Sequence, residues 1–227
     1  TGDWSSDVCS SDLYFTSDSE FNYKTDISLE KILGQTNKVR IFMSATGNLM
    51  YKYIKNRRGI DTLYYYIDDD FSWMNLNFFG KKNTSLNVII DEVLEKNEKA
   101  LIFIDDIDRC YNLYKEYKNY SIFCCSESRK YYRYVDEDAI EDMLIKEKFD
   151  KNLLITTNVL DAGINLNDDD IRSIICSIKD IGVLIQCLGR KRRKLNEKVN
   201  VYIENINNNV LAPKKRYLNK ALNMVRD

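Results

Sequence analysis

The sequence predicts an α/β fold, a parallel sheet flanked by helices. Three observations carry that expectation. From about residue 84 to 205, apolar runs of four to six residues alternate with longer segments of helical period, the pattern of strands joined by crossover helices. Each intervening segment is long enough to cross between parallel neighbours. A single Pro and eight Gly in 227 residues leave little linker-like or disordered composition.

The elements follow in order. Val39–Met43 and Asp61–Ile67 read as strands on their β-branched and aromatic content. Thr84–Asn97 places Leu86, Ile89, Ile90, Val93 and Leu94 on one helical stripe, with Thr84 or Ser85 as the expected N-cap. Strand Ala100–Ile104 then leads to helix Asp108–Lys118, and strand Ser121–Cys125 to a helix over Asp136–Lys146. Strand Leu153–Thr156 ends in a turn, strand Ile171–Ser177 feeds a short helix at Ile181–Leu188, and strand Lys198–Ile203 closes the series. Lys214–Val225 has the spacing of an amphipathic terminal helix. Thr1–Leu13 resembles a translated sequencing adapter and is read as an artefactual scar, so Trp4 and Cys9 carry no structural expectation.

Composition narrows the chemistry. Hydrophobic residues at 44% and charged residues at 30% are those of a soluble globular protein. The chain has no His, which excludes imidazole acid–base catalysis, Ser-His-Asp triads and His-ligated metals. Its six Cys form no CxxC pair and read as reduced core thiols. No run reaches the roughly 18 apolar residues of a membrane span, and the N-terminus is polar and acidic. A cytoplasmic protein is therefore expected, and its wealth of Lys, Asn, Ile and Tyr points to an AT-rich bacterial or phage genome. The net charge of −1 conceals basic runs at 190–194 and 214–216 and acidic runs at 68–70 and 168–170.

Three segments carry chemistry. Gln186-Cys187-Leu188-Gly189-Arg190-Lys191-Arg192-Arg193 has the form Q-x-x-G-R-x-x-R at the end of a short helix. Planar guanidinium groups suit the equatorial oxygens of a transferring phosphoryl group, and two Arg three apart would share one helical face. In Leu153–Asn165, a buried strand ends in Thr156-Thr157 and a turn leads to Gly163-Ile164-Asn165, at the carboxyl side where open α/β sheets bind ligands. Ser44-Ala45-Thr46 follows the strand at 39–43 as a hydroxyl-bearing turn.

In chain order, Ser44-Ala45-Thr46, the strand at 101–104, the Leu153–Asn165 segment and the Gln186–Arg193 segment resemble motifs III, IV, V and VI of superfamily-two helicases, over residues 39 to about 203. The resemblance implies a RecA-like fold, the P-loop NTPase-type C-terminal lobe, with ATP and Mg²⁺ as cofactors and a DNA or RNA strand as partner. By position it makes Arg190 and Arg193 the phosphate-reaching arginines, supported by Gln186. It places Gly163 and Asn165 near the nucleotide, Thr157 on the nucleic-acid backbone, and Ser44 and Thr46 at the coupling between lobes. Asn158 and Asn165 stand where many relatives carry Asp. Arg129 and Arg133, set among Tyr131–Tyr134, are further candidates for strand contact.

The sequence contains no G-x-x-x-x-G-K-S/T loop and no acidic motif ahead of Ser44. Asp91-Glu92 reads as a solvated helix face, and Asp105, Asp106 and Asp108 as helix-capping acids, so no metal site is expected. The expected organisation is a remnant of a first lobe at 14–56, a linker at 57–83, a second lobe at 84–205 and a C-terminal helix at 206–227. The functional expectation is the C-terminal part of an ATP-dependent helicase or translocase, inactive by itself. The alternatives are a translocase subunit of a restriction or phage-defence system, and a non-catalytic nucleic-acid-binding module.

Overall fold

The computed structural model describes residues 25–42, 47–66, 71–157, 165–192, 194, 196–213, 215, 216 and 219. Two compact units divide at residues 69 and 70.

In the first unit, α1 (Thr25–Leu33) and α2 (Asn48–Lys52), which continues as a π-helical turn Tyr53–Arg57, bury Leu29, Leu33, Met50 and Ile54 together. Described residues 39–42 and 61–66 are not strands, contrary to the expectation for 39–43 and 61–67. A strand exists only through a neighbouring ladder, and the described residues of this unit offer helices alone. Val39, Ile41, Leu63 and Tyr65 accordingly stand exposed.

The second unit holds a six-stranded, all-parallel sheet in the order β1-β6-β5-β2-β4-β3. The strands are β1 (Met74–Phe79), β2 (Lys99–Ile104), β3 (Ser121–Cys124), β4 (Leu153–Thr156), β5 (Ile171–Ser177) and β6 (Val199–Glu204). The helices are α3 (Asn83–Glu95), α4 (Ile107–Glu116), α5 (Glu137–Lys146) and α6 (Ile181–Leu188). This is the RecA-like arrangement expected of the fold. Strand alternation sorts the core into two layers. Ile102, Ile104, Leu153, Ile155 and Ile175 pack against Leu86, Ile90 and Val93 of α3 and Cys110 and Leu113 of α4. Leu101, Phe103, Leu154, Ile174 and Cys176 pack on the other face, against Met143 of α5 and Cys187 of α6.

β1 lies within the segment read as a linker, so the sheet begins upstream of residue 84. Its signal was present: Leu76 and Phe78 alternate with Asn75 and Asn77. The strand pairs with β6 in register Met74↔Val199, and Asn75 Nδ2 donates to Asn200 Oδ1 at 3.2 Å. As an edge strand it leaves Leu76 and Phe78 exposed. Helical residues begin at 208, ahead of the expected 214. The N-cap of α3 is Lys82, without a side-chain cap bond, in place of Thr84 or Ser85.

The five described cysteines are free and buried, and burial pushes the thiols of Cys110, Cys124 and Cys176 up, which makes them inert. No helix among the described residues is long and apolar enough to cross a membrane.

The phase of α3 gives a direct check. Ile90 is fully buried, whereas Val88 is 58% exposed. Ile90→Ala is expected to cost about 2–5 kcal/mol through the cavity it leaves, and Val88→Ala no more than about 0.5 kcal/mol. Urea unfolding of the two variants measures the difference.

Candidate nucleotide and nucleic-acid interface

Parallel pairing brings the carboxyl ends of all six strands to one edge, where Thr157 and the loop bearing Arg129 and Arg133 lie, whereas Arg190 lies beyond the far end of α6. Acidic caps start the helices at that edge. Asp106 accepts from the amides of Asp108 and Arg109 at 2.9 and 3.0 Å, Asp180 accepts from Gly182 and Val183 at 2.8 and 3.3 Å, and Asp136 caps α5 through the Ala139 amide at 3.1 Å. Asp105 accepts from the Lys179 amide at 3.0 Å. The acids at 105–108 therefore act on backbone and, for Asp108, on Lys130 and Tyr131. Among the described residues no group of three or more Cys, Asp or Glu could hold a metal. Asp91 and Glu92 lie on the exposed face of α3, as expected.

Gln186 and Cys187 are buried on α6, and the helix ends at Gly189, whose amide reaches the Ile185 carbonyl at 3.1 Å. Arg190 lies beyond the helix, half-buried, with Nε donating to the Gln186 main-chain carbonyl at 3.2 Å. Arg190 itself thus stands outside the helix. The chain straightens because Lys191 forms a parallel bridge with Leu166. Leu166 donates to the Arg190 carbonyl and Arg192 donates to the Leu166 carbonyl, both at 2.8 Å. The residue after Asn165 is therefore fastened by main-chain bonds to the turn carrying the arginines. Asn165 itself is half-buried.

A buried ion pair holds this turn, and sequence reasoning missed it. Lys191 looked like one more charge in a basic run, yet its side chain is 1% exposed and its Nζ lies 2.7 Å from Glu197 Oε1. Glu197, 7% exposed, also accepts from the Lys194 amide at 3.0 Å through Oε2 and faces Arg172 at 3.8 Å. Asn196, at φ +65°, takes the left-handed conformation that Asn tolerates and turns Glu197 back towards Lys191. Lys194 pairs with Asp169, which holds that carboxyl below the usual carboxylate range. Both lysines of the run are thus paired within the lobe. Asp168 is likewise buried and accepts from Lys99 at 2.8 Å.

Thr157 follows β4 and is buried, its carbonyl accepting from Thr156 Oγ1 at 2.9 Å. Arg129 and Arg133 are exposed on the loop between β3 and α5, with the Arg133 guanidinium 4.9 Å over the Tyr134 ring. Ser44, Thr46, Gly163 and Arg193 lie outside the described residues.

Residues 96–196 match the family model described as the C-terminal part of the CRISPR-associated nuclease/helicase Cas3. The match runs from the end of α3 through the arginine-bearing turn. Over those residues the chain is similar to a helicase C-terminal domain. Two structures of S. cerevisiae Dbp5 have the same fold. A variant bound to RNA and ADP BeF3 matches at 16% identity and TM-score 0.63. Dbp5 itself, bound to RNA and ADP BeF3, matches at 18% and 0.62. Each alignment covers 92% of this chain and 55% of the other, so the chain spans about half the length of these structures. A comparison with curated proteins gives no significant match.

The buried pair inside the lobe has a testable signature. Glu197→Gln leaves the Lys191 ammonium buried without a counter-charge and is expected to destabilise by about 3–5 kcal/mol. The double variant Lys191→Met with Glu197→Leu is expected to recover most of that loss, since a buried pair and an apolar pair of similar volume are often near equal. Urea midpoints of the three proteins decide it. A single variant that unfolds with the wild-type midpoint would mean that Lys191 and Glu197 are not held as an ionised pair.

Proposed function

We propose that this lobe is the second motor domain of an ATP-dependent nucleic-acid helicase or translocase. In this reading Arg190 and Arg193 face the phosphates of an ATP bound chiefly by a first RecA-like lobe, while Arg129 and Arg133 meet the backbone of a DNA or RNA strand. The observation that carries the reading is the Leu166–Lys191 bridge. It ties Leu166, next to Asn165, to the turn that bears Arg190. A shift of either end is passed to the other through two main-chain hydrogen bonds of 2.8 Å, which weaken steeply when distorted.

The residues fit a triphosphate in chemical kind. A guanidinium on a turn anchored at the Glu197 carboxylate and at Leu166 is a fixed donor, and fixed donors stabilise developing charge without reorganising. Gln186 contributes through its main-chain carbonyl, which orients Arg190. Gly163 and Asn165 border the nucleotide, Thr157 at the end of β4 meets the nucleic-acid backbone, and Ser44 and Thr46 couple hydrolysis to lobe movement. When bound, ATP with Mg²⁺ would supply the phosphoryl group whose transfer drives the cycle, the metal being held mainly by the first lobe.

A second reading, a translocase in an anti-phage or restriction system, is favoured by the description of the matching family as a CRISPR-associated nuclease/helicase. It keeps the same residue roles and differs in whether strands are separated.

The test is nucleic-acid-stimulated ATP hydrolysis by the lobe joined to its first lobe. Arg190→Ala and Arg193→Ala are each expected to lower kcat by roughly 10³–10⁵, with smaller effects on strand affinity. The lobe alone is expected to turn over no ATP. Hydrolysis at the wild-type rate by the double alanine variant would sink the proposal.

A further inference from the structure

The loop after β3 folds over α4 and builds an aromatic cluster beside the carboxyl edge of the sheet. Tyr131 stacks on Tyr111 with ring centroids 4.0 Å apart, and Tyr134 lies 4.8 Å from the same ring. Each ring carries a cation: Lys130 lies 4.8 Å over Tyr131, Arg133 4.9 Å over Tyr134 and Lys115 5.3 Å over Tyr111.

The two sides of the cluster differ. On one side Asp108 accepts from the Tyr131 hydroxyl at 2.6 Å and pairs with Lys130 at 2.5 Å, so the charge there is matched internally. Tyr131 and Tyr111 also pack against the core, and that side is explained by folding. Tyr134 belongs to neither core layer and is 40% exposed. Its hydroxyl is held below the ordinary tyrosine range by the hydrogen bond from Tyr111, by Arg133, and more weakly by Lys115. A rigid, exposed ring thus sits in a positive field at the edge where the strand is placed.

We infer that Tyr134 and Arg133 form a stacking subsite for an unpaired base of a single-stranded nucleic acid, an inference that rests on the strand-binding reading above. A base takes the place of the Arg133 guanidinium over the ring, and the guanidinium swings to the adjoining phosphate. Every base has a π-face, so the subsite accepts any base without reading its sequence. A duplex keeps its bases stacked inside and cannot reach the ring, so the subsite selects single strands. Lys115 and Lys130 add the charge that draws in the phosphate backbone.

The experiment is fluorescence anisotropy at low salt, using the full chain and a labelled oligodeoxythymidine. The comparison strands are one of equal length with abasic sites throughout and a duplex of the same length. Binding is expected to be about tenfold tighter to the oligodeoxythymidine than to the abasic strand or the duplex, the range of one base–aromatic stack. Tyr134→Ala is expected to erase that preference and Tyr134→Phe to keep it, with unchanged circular-dichroism melting confirming the fold of both. Equal binding of the thymidine and abasic strands by the wild-type chain overturns the stacking subsite while leaving a phosphate-only strand contact standing. Binding that polyglutamate displaces as readily from the alanine variant as from the wild type overturns it in favour of a surface for acidic peptides. No binding of any strand overturns both the subsite and the strand-binding reading.

Discussion

The RecA-like lobe depends on a sheet whose central strands are buried on both faces. Every residue of β4 and nearly every residue of β2 is inaccessible, and the inward-facing residues of β5 are equally so. A parallel sheet of this kind can only be connected by crossovers on its faces. α3 and α4 therefore cover one face, and α5 and α6 the other. All the connections that follow the strands then emerge at one edge. The clustering of Asp105, Thr157, Lys179 and the loop bearing Arg129 and Arg133 at that edge is a consequence of burial, before any question of function arises.

On that scaffold, the arginine-bearing turn is fixed by two interactions of different kinds. The Leu166–Lys191 bridge is a main-chain contact, insensitive to which side chains flank it. The Lys191–Glu197 pair is a charged contact in a nearly dry site. Removing two charges from water costs about as much as their attraction returns, so such a pair contributes little net stability but specifies one geometry. Its position inside the Q-x-x-G-R-x-x-R segment makes geometry the property it supplies. Glu197 uses its second oxygen on the Lys194 amide, which extends the same restraint along the turn that carries Arg193.

The fold of the lobe was legible because its signals are local. The stripe Leu86–Ile89–Ile90–Val93 specified α3 by spacing, and β2, β4 and β5 stood out as short apolar runs. The errors have local causes too. Residues 39–43 and 61–67 have strand-forming composition, but composition supplies no ladder, and residues 39–42 and 61–66 are not strands. β1 was passed over because Asn75 and Asn77 dilute its hydrophobicity. It is a strand because β6 lies alongside it, more than a hundred residues away in the chain.

The sequence by itself therefore determined the parallel α/β class, the order of the elements and the position of the arginine motif. Each of these depends on residue spacings within about a dozen positions, which periodicity encodes directly. Only the tertiary structure decided that Lys191 is a buried structural cation, that Arg190 leaves its helix, and that Tyr134 is the most exposed ring of its cluster. Those properties depend on what lies opposite in space: Glu197, Leu166, and the aromatic rings of α4. Charge and aromaticity are written in the chain, but their solvation is set by distant neighbours, and solvation decides whether a lysine binds phosphate or holds a turn.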